Sequence, residues 1–253
     1  MKEQLHTIPI NDALENAGEC PFCYIERKTE EHAMNYVLGH GASYMEADIR
    51  SMTDKAGFCR PHFKKMFDYG NALGNAWILK THYRKIIDEM NVEFKNFKPG
   101  KPAKKGLFSK QAPSANSIAD WIKEKESSCF ICNSVQNTFD TYLKTFFNMY
   151  KKDATFRKQI METKGVCLSH FAVMLDGADN YLSATELQEF YDNFLPLMTK
   201  NMERIYEDIA WFIEKYDYKN KDASWRDSKD AIQRGMQKLK GMDPSLPPYQ
   251  IKK

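Results

Sequence analysis

Cysteines and histidines occur in this sequence as two copies of one cassette, in which a C-x-x-C pair is followed by a C-x-x-H pair. The pairs are Cys20 with Cys23, Cys59 with His62, Cys129 with Cys132, and Cys167 with His170. Between the two pairs lie 35 residues in the first copy (24–58) and 34 in the second (133–166), and all six cysteines are used. The matched spacing indicates a duplication.

The residue types in each cassette are those of a metal site. Zinc takes four thiolate and imidazole ligands in a tetrahedron, and two short-spaced pairs supply them. The sequence predicts one Cys3His site in each copy. The first site comprises Cys20, Cys23, Cys59 and His62, and the second comprises Cys129, Cys132, Cys167 and His170.

The spacing within a pair predicts its local structure. Residues three apart on the first turn of a helix lie on one face, so both side chains of a pair can reach the same ion. The positive end of the helix dipole and the free N–H groups there favour thiolate over thiol. Gly57 and Gly165 stand two residues before Cys59 and Cys167, where a positive φ is expected.

Zinc, two ions per chain, is the predicted cofactor. An iron–sulfur cluster or a single iron ion is the alternative, although clusters usually take four cysteines in denser runs. Disulfides would be the competing interpretation in a secreted protein, but they leave His62 and His170 unexplained. A site with four protein ligands is closed and is usually structural. A thiol switch, in which oxidation of Cys20 with Cys23 or of Cys129 with Cys132 ejects the metal, is the alternative role.

The hydrophobic pattern has helical spacing and little strand-like alternation, which predicts an all-α fold of two related helical halves and a C-terminal helical tail. The segment GFCRPHFKKMFD (57–68) matches GVCLSHFAVMLD (165–176) at six of twelve positions. The predicted divisions are repeat 1 with the first site (1–94), a basic linker (95–116), repeat 2 with the second site (117–217) and a C-terminal helix with a Pro-rich tail (218–253).

Apolar stripes at helical spacing predict which side chains form the core. The stripes are Val135, Phe139, Leu143, Phe146 and Tyr150; Trp77, Leu79, Tyr83, Ile86, Met90 and Phe94; Leu187, Phe190, Phe194, Met198, Ile205, Ile209, Phe212 and Tyr216; and Trp225, Ile232, Met236 and Leu239. The last stripe is expected to dock on its own chain rather than on another molecule. Ser117 with Asp120 and Ser183 with Glu186 resemble capping boxes. Pro196 is expected to kink or split its helix.

The composition is that of a folded, nearly neutral protein. The 253 residues are 42% hydrophobic and 13% aromatic, with a formal charge of +3. Two zinc–thiolate centres, each of charge −1, would reduce this to about +1, which argues against a dedicated nucleic-acid binder. The chain has no signal-like start and no apolar run of about 18 residues, so a cytoplasmic protein without membrane contact is expected.

Basic charge is concentrated in the predicted linker, which has no acidic residue. Its lysines are Lys95, Lys98, Lys101, Lys104, Lys105 and Lys110. Interleaved prolines and glycines predict a flexible, solvated segment. Contact with a polyanion is the alternative role.

Enzymatic motifs are lacking, and no catalytic residue is predicted. The sequence contains no Gly-rich phosphate loop, no H-E-x-x-H and no G-x-S-x-G. Of the remaining histidines, His40 is expected in an exposed turn, and His82 on a helix surface beside a core Tyr83. The predicted function is therefore a zinc-binding scaffold or regulatory interaction module that binds a protein partner or itself. A redox sensor and a metalloenzyme of unknown reaction remain as alternatives.

The tandem signatures CPFC, GFCRPHF, CFIC and GVCLSHF, followed by a helical tail, resemble a bacterial family known as domain of unknown function 6062. The resemblance extends over most of the chain. It implies the same eight ligand positions and no assigned reaction.

Overall fold

The computed structural model of the protein describes residues 7–16, 18–98 and 116–241. Within these ranges the chain forms eleven α-helices, two short 3₁₀ turns and no strand, which confirms the all-α prediction. The helices are α1 (Ile8–Asn16), α2 (Pro21–Leu38), α3 (Ala47–Ala56), α4 (Arg60–Asp68), α5 (Ala72–Asn96), α6 (Ser117–Glu126), α7 (Phe130–Lys152), α8 (Ala154–Glu162), α9 (Leu168–Tyr181), α10 (Ala184–Glu214) and α11 (Ala231–Lys240).

The chain divides into two compact units. Of the described residues, unit 1 consists of 7–16, 18–29 and 136–241, and unit 2 of 30–98 and 116–135. The chain passes from unit 1 to unit 2 within α2 and returns within α7. Each unit therefore contains segments from both copies of the cassette. The duplication itself remains a prediction from the sequence.

Unit 1 has a large aromatic core built from α7 and α10. The predicted stripe of α7 is buried at Phe139, Leu143, Phe146 and Tyr150. The stripe of α10 is buried at Phe190, Phe194, Met198 and Ile205, and the rings of Phe190 and Phe194 stack with centroids 4.8 Å apart. Tyr216, also predicted in this stripe, is exposed because α10 ends at Glu214.

Unit 2 has a smaller core, and the prediction for α5 is wrong in part. Ile78 and Gly74 are the buried residues of this 25-residue helix, whereas Tyr83 and Phe94 are exposed. The reason is that α5 packs against short elements, namely α3, α4, α6 and the 3₁₀ turn Ser43–Met45. These elements do not cover the apolar stripe along its full length.

Several helix ends follow the sequence signals. Ser183 and Glu186 form the predicted capping box of α10. Pro196 lies inside α10 without splitting it. At α6 the prediction was off by one residue, because Asn116 is the N-cap and its side chain accepts a hydrogen bond from Ala119 N–H.

Helix α11 docks on α9 and α10, as predicted, but through a different face. Ile232, Met236 and Leu239 are exposed, so the prediction that they form the buried stripe is wrong. The buried positions are Ala231, Gly235 and Lys238. Small residues on this face allow α11 to approach α10 closely, since a Cβ on Gly235 would lie 2.9 Å from Ile209 Cδ1.

Parts of the predicted linker and tail lie outside the described residues. These include Lys101, Lys104, Lys105 and Lys110, and in the tail Pro244, Pro247 and Pro248. Lys95, which the sequence places in the linker, belongs to α5. Among the described helices, none combines the length and the apolar character needed to cross a membrane.

Candidate metal centres

All eight predicted ligands meet in two groups of four, but the pairs are exchanged between the copies. Cluster A consists of Cys20, Cys23, Cys167 and His170, and lies in unit 1. Cluster B consists of Cys59, His62, Cys129 and Cys132, and lies in unit 2. The prediction that each copy closes its own site is therefore wrong. Both C-x-x-H pairs offer one cysteine and one histidine, so ligand type does not determine which of them joins a given C-x-x-C pair. Packing of the surrounding helices determines it.

Every ligand pair begins a helix in the same register. Cys59 and Cys167 are the N-caps of α4 and α9, with ψ of 161° and 164°, and each histidine is the third residue of its helix. Cys20 and Cys129 directly precede α2 and α7, which places Cys23 and Cys132 at the equivalent third position. Both ligands of a pair thus project from one helix start, where the dipole stabilises anionic sulfur.

The two glycines ahead of the C-x-x-H pairs have the conformation that the sequence predicted. Gly57 has φ of 63° and Gly165 has φ of 69°. A Cβ on Gly165 would lie 2.8 Å from the sulfur of Met198, so the close approach of α10 also requires glycine. The turn at each glycine leads the backbone into the N-cap cysteine.

The four donor atoms of each cluster lie within 4.8 Å of one another. In cluster A, Cys23 Sγ is 3.8 Å from Cys167 Sγ. The three sulfurs of this cluster lie 3.2–3.5 Å from His170 Nδ1. In cluster B, Cys59 Sγ is 3.8 Å from Cys132 Sγ, and the three sulfurs lie 3.1–3.4 Å from His62 Nδ1.

These distances fit a single tetrahedral ion. A zinc–sulfur bond of about 2.3 Å and a zinc–nitrogen bond of about 2.0 Å place sulfurs about 3.8 Å apart and sulfur about 3.5 Å from nitrogen in a regular tetrahedron. The sulfur separations match, and the sulfur–nitrogen distances are slightly shorter. Both clusters have the size of a mononuclear centre.

The electrostatics of cluster B also favour a cation. Burial alone would raise the pKa of Cys129, but the hydrogen bond to His62, two backbone hydrogen bonds and the charge of His62 together lower it to about 6. The pKa of Cys132 is raised to about 12, first by partial desolvation and then by the negative charge of Cys129 and Cys59. Three sulfurs at this separation resist full ionisation together, and a divalent ion among them removes that repulsion.

In cluster A, too, the pKa values of two sulfurs are shifted in opposite directions. Burial, followed by contact with Cys167 and Cys23, raises the pKa of Cys20 well above its ordinary value. Hydrogen bonds to Cys20 and Cys23 lower the pKa of Cys167. Burial alone would lower the pKa of His170, but hydrogen bonds to Cys167, Cys20 and Glu26 and the charge of Cys20 together raise it to about 12.

A carboxylate orients each histidine, and sequence reasoning missed both carboxylates. His62 Nε2 lies 2.8 Å from Glu30 Oε1, which also accepts a hydrogen bond of 2.6 Å from Lys65. His170 Nε2 lies 3.3 Å from Glu26 Oε1. A carboxylate on Nε2 leaves Nδ1 free to face the ion, the arrangement common around metal-binding histidines. Both glutamates belong to α2 and lie one helical turn apart. This spacing is the sequence signal by which they could have been recognised as partners of the two histidines.

The two clusters differ in how their helix starts are joined. At cluster B, Phe130 N–H donates a hydrogen bond of 2.9 Å to Gly57 C=O, which ties the start of α7 to the segment ahead of α4. Pro21 occupies the matching position at cluster A and has no N–H. There the Lys238 ammonium donates instead to the carbonyls of Glu19 and Lys164, the residues that lead into the two ligand pairs.

Lys238 is 1% exposed, so α11 contributes a buried cation to the surroundings of cluster A. Burial lowers the pKa of Lys238, while the charges of Glu19 and Cys20 oppose that shift. Glu19 is itself buried and is bound by Arg204 at 2.5 Å. The end of α11 covers the sulfurs as well, since a Cβ on Gly241 would lie 3.4 Å from Cys23 Sγ and 3.5 Å from Cys167 Sγ.

Fold and ligand geometry together define a helical protein with two Cys3His clusters, each able to hold one metal ion. The chain belongs to the Family of unknown function (DUF6062), whose model matches residues 1–245. No curated protein and no solved structure matches the chain.

The exchanged pairing predicts the metal stoichiometry of double variants. Cys23→Ser with Cys167→Ser alters cluster A alone, so this variant should keep one ion per chain. Cys23→Ser with Cys59→Ser alters both clusters and should keep neither ion at full occupancy. Metal content per chain, measured after gel filtration, distinguishes the two variants. Pairing within each copy would give the reverse result.

Replacement of Lys238 should weaken unit 1. Lys238→Met leaves the carbonyls of Glu19 and Lys164 without their buried donor, at an expected cost of about 2–3 kcal/mol in the free energy of unfolding. Lys240→Met on the exposed side of the same helix is the matched control. Urea unfolding followed by circular dichroism measures the difference. Equal stability of the two variants would contradict the role assigned to Lys238.

Proposed function

We propose that the protein binds two zinc ions, one in each cluster, and acts as a non-enzymatic scaffold or regulatory interaction module. The observation that carries the proposal is the convergence of three sulfurs and one imidazole nitrogen within 4.8 Å in both clusters. The zinc ions would hold together segments that are far apart in the sequence, and the helices would present surfaces to a partner.

Zinc is preferred to an iron–sulfur cluster on grounds of size. A multi-iron cluster inserts several iron and sulfide atoms between its protein ligands and holds their sulfurs farther apart than the 3.8 Å found in both clusters. A single ion with three thiolates and one histidine is a common structural zinc site. Mononuclear iron has a similar ligand geometry and is tested by the metal analysis below.

A structural role follows from the number of ligands. Each cluster supplies four protein donors, so a tetrahedral ion has no open position for water or substrate. This arrangement argues against a metalloenzyme, in which one position is kept open. In cluster A the ion would join Cys23 to Cys167, 144 residues later, and in cluster B it would join Cys59 to Cys132, 73 residues later.

Exposed apolar side chains support the interaction role. Leu73, Tyr83, Ile87 and Phe94 of α5 are between 44% and 63% exposed. At about 100° per residue these four positions fall on one side of the helix. Several exposed apolar side chains along one side of a helix are typical of a surface that binds a protein partner.

Redox sensing is a second candidate function because the two clusters differ in exposure. The four ligands of cluster A are buried, whereas in cluster B Cys132 is exposed and Cys59 is partly exposed. Thiolates at a reachable site are open to oxidation, and those of a sealed site are protected.

Metal analysis tests the proposed cofactor. Protein purified without oxygen should contain about two zinc ions per chain and show no visible absorption band. Inductively coupled plasma mass spectrometry gives the count, and an absorption spectrum detects iron–sulfur chromophores. The variant Cys23→Ser with Cys132→Ser, which removes one ligand from each cluster, is the control. A brown protein that contains iron and sulfide would contradict the zinc assignment.

Removal of zinc should destabilise the fold. Structural zinc contributes on the order of 10 kcal/mol per site to folding at neutral pH, so a strong chelator should lower the melting temperature sharply. Differential scanning calorimetry with and without the chelator measures the change, and readdition of zinc should restore the transition. An unchanged melting temperature after verified loss of both ions would exclude a structural role.

A further inference from the structure

We propose that cluster B is an oxidation site at which hydrogen peroxide oxidises Cys132 and the metal ion is released, while cluster A keeps its ion. This inference rests on the proposed zinc occupancy. It goes further by assigning different chemistry to two clusters that have the same ligand set.

Exposure of the cysteine residues separates the two clusters. Cys20, Cys23 and Cys167 of cluster A are 5%, 2% and 0% exposed, and the end of α11 covers two of these sulfurs through Gly241. In cluster B, Cys132 is exposed although it belongs to the ligand group. A small polar oxidant can therefore reach a cluster B sulfur without any opening of the fold.

Cys132 also has a second thiolate within reach. Its Sγ is 3.8 Å from Sγ of Cys59, the other ligand of cluster B that is not fully buried. Closure of a disulfide from this separation requires the sulfurs to approach to about 2.05 Å. Departure of the ion removes the atom that keeps them apart.

The reaction proceeds in two steps. The Cys132 thiolate attacks one peroxide oxygen, so that an S–O bond forms, the O–O bond breaks and hydroxide leaves. Cys132 is thereby oxidised to a sulfenic acid while the peroxide is reduced. The Cys59 thiolate then attacks that sulfur, an S–S bond forms, the S–O bond breaks and a second hydroxide leaves. Two protons from solvent convert the hydroxides to water.

Loss of two thiolate ligands ends tetrahedral coordination in cluster B. Cys129 and His62 remain, and two ligands hold a zinc ion much less tightly than four. The new disulfide would join the start of α4 to the start of α7, where the ion had joined them. Oxidation would thus exchange a metal crosslink for a covalent one in unit 2.

Zinc release during peroxide treatment tests this assignment. Protein carrying two zinc ions per chain is treated with increasing hydrogen peroxide, and free zinc is followed with a chromogenic chelator. One ion should be released at least about tenfold faster than the other, because one cluster is accessible and the other is sealed. Peptide mapping after the first ion has left should find Cys132 in a disulfide with Cys59, and the three cluster A cysteines reduced.

Histidine substitutions provide a matched pair of variants that retain four ligands. Cys132→His should slow the fast release at least about tenfold, since the exposed thiolate is gone. Cys23→His, at the equivalent position of cluster A, should leave the fast phase unchanged. If Cys132→His fails to hold its second ion, the disulfide map of the unmodified protein decides the question.

Three results would overturn the assignment. Release of both ions at one rate would show that exposure does not govern the chemistry. A first disulfide that contains Cys20 or Cys23 would place the reactive site in cluster A. Release of the first zinc ion without any modification of Cys132 would show that Cys132 is not the nucleophile. A protein that binds no zinc would instead contradict the proposed function.

Discussion

Helix starts that face one another are the constraint on which the rest of this structure depends. Each ligand pair occupies the N-cap and the third position of a helix, so two facing starts supply four donors and two positive dipole ends. Four helices are therefore fixed in position at the clusters, and the cores of the two units are built outward from them. Phe22, adjacent to Cys23, lies 5.4–5.6 Å from the rings of Phe139 and Phe146, which links cluster A directly to the core of unit 1.

A single residue difference, Phe130 against Pro21, explains why the two clusters have different surroundings. Phe130 closes cluster B with a backbone hydrogen bond. Proline cannot make that bond, and a buried lysine from α11 supplies the donor at cluster A. Recruitment of α11 has a second effect, because Gly241, directly after its last residue, lies against the sulfurs of Cys23 and Cys167. Cluster A is thus sealed by the same helix that replaces the missing backbone donor, and cluster B has no such cover among the described residues.

The local features of the candidate sites could be predicted from sequence, because they depend on neighbouring residues. The first-turn position of the ligand pairs and the positive φ at Gly57 and Gly165 follow from spacing and residue type. Burial of Phe190 and Phe194 follows from helical periodicity. The exposed stripe of α5 could not be foreseen, since an amphipathic pattern does not reveal how much of a helix its neighbours cover.

The position of Lys238 was beyond sequence reasoning for another reason. A lysine on an amphipathic helix is ordinarily assigned to the solvent side, and Ile232, Met236 and Leu239 to the core. Two carbonyls and the Glu19 carboxylate reverse this preference, because they satisfy the buried ammonium. Residues far apart in sequence create that environment, so no local pattern reports it.

Exchange of the ligand pairs also goes against chain entropy, which favours the pairing that sequence predicts. Closure of a loop costs about (3/2)RT ln n, so joining Cys23 to Cys167 rather than to Cys59 costs about 1.2 kcal/mol more. The corresponding difference in cluster B, where Cys132 joins Cys59 rather than Cys167, is about 0.7 kcal/mol. Burial of one phenylalanine contributes about 1.5–3 kcal/mol, and Phe22, Phe139 and Phe146 are each at most 4% exposed in unit 1. Packing of these few aromatic side chains therefore outweighs the entropic preference, and the core rather than the spacing of the motif selects which pairs share an ion.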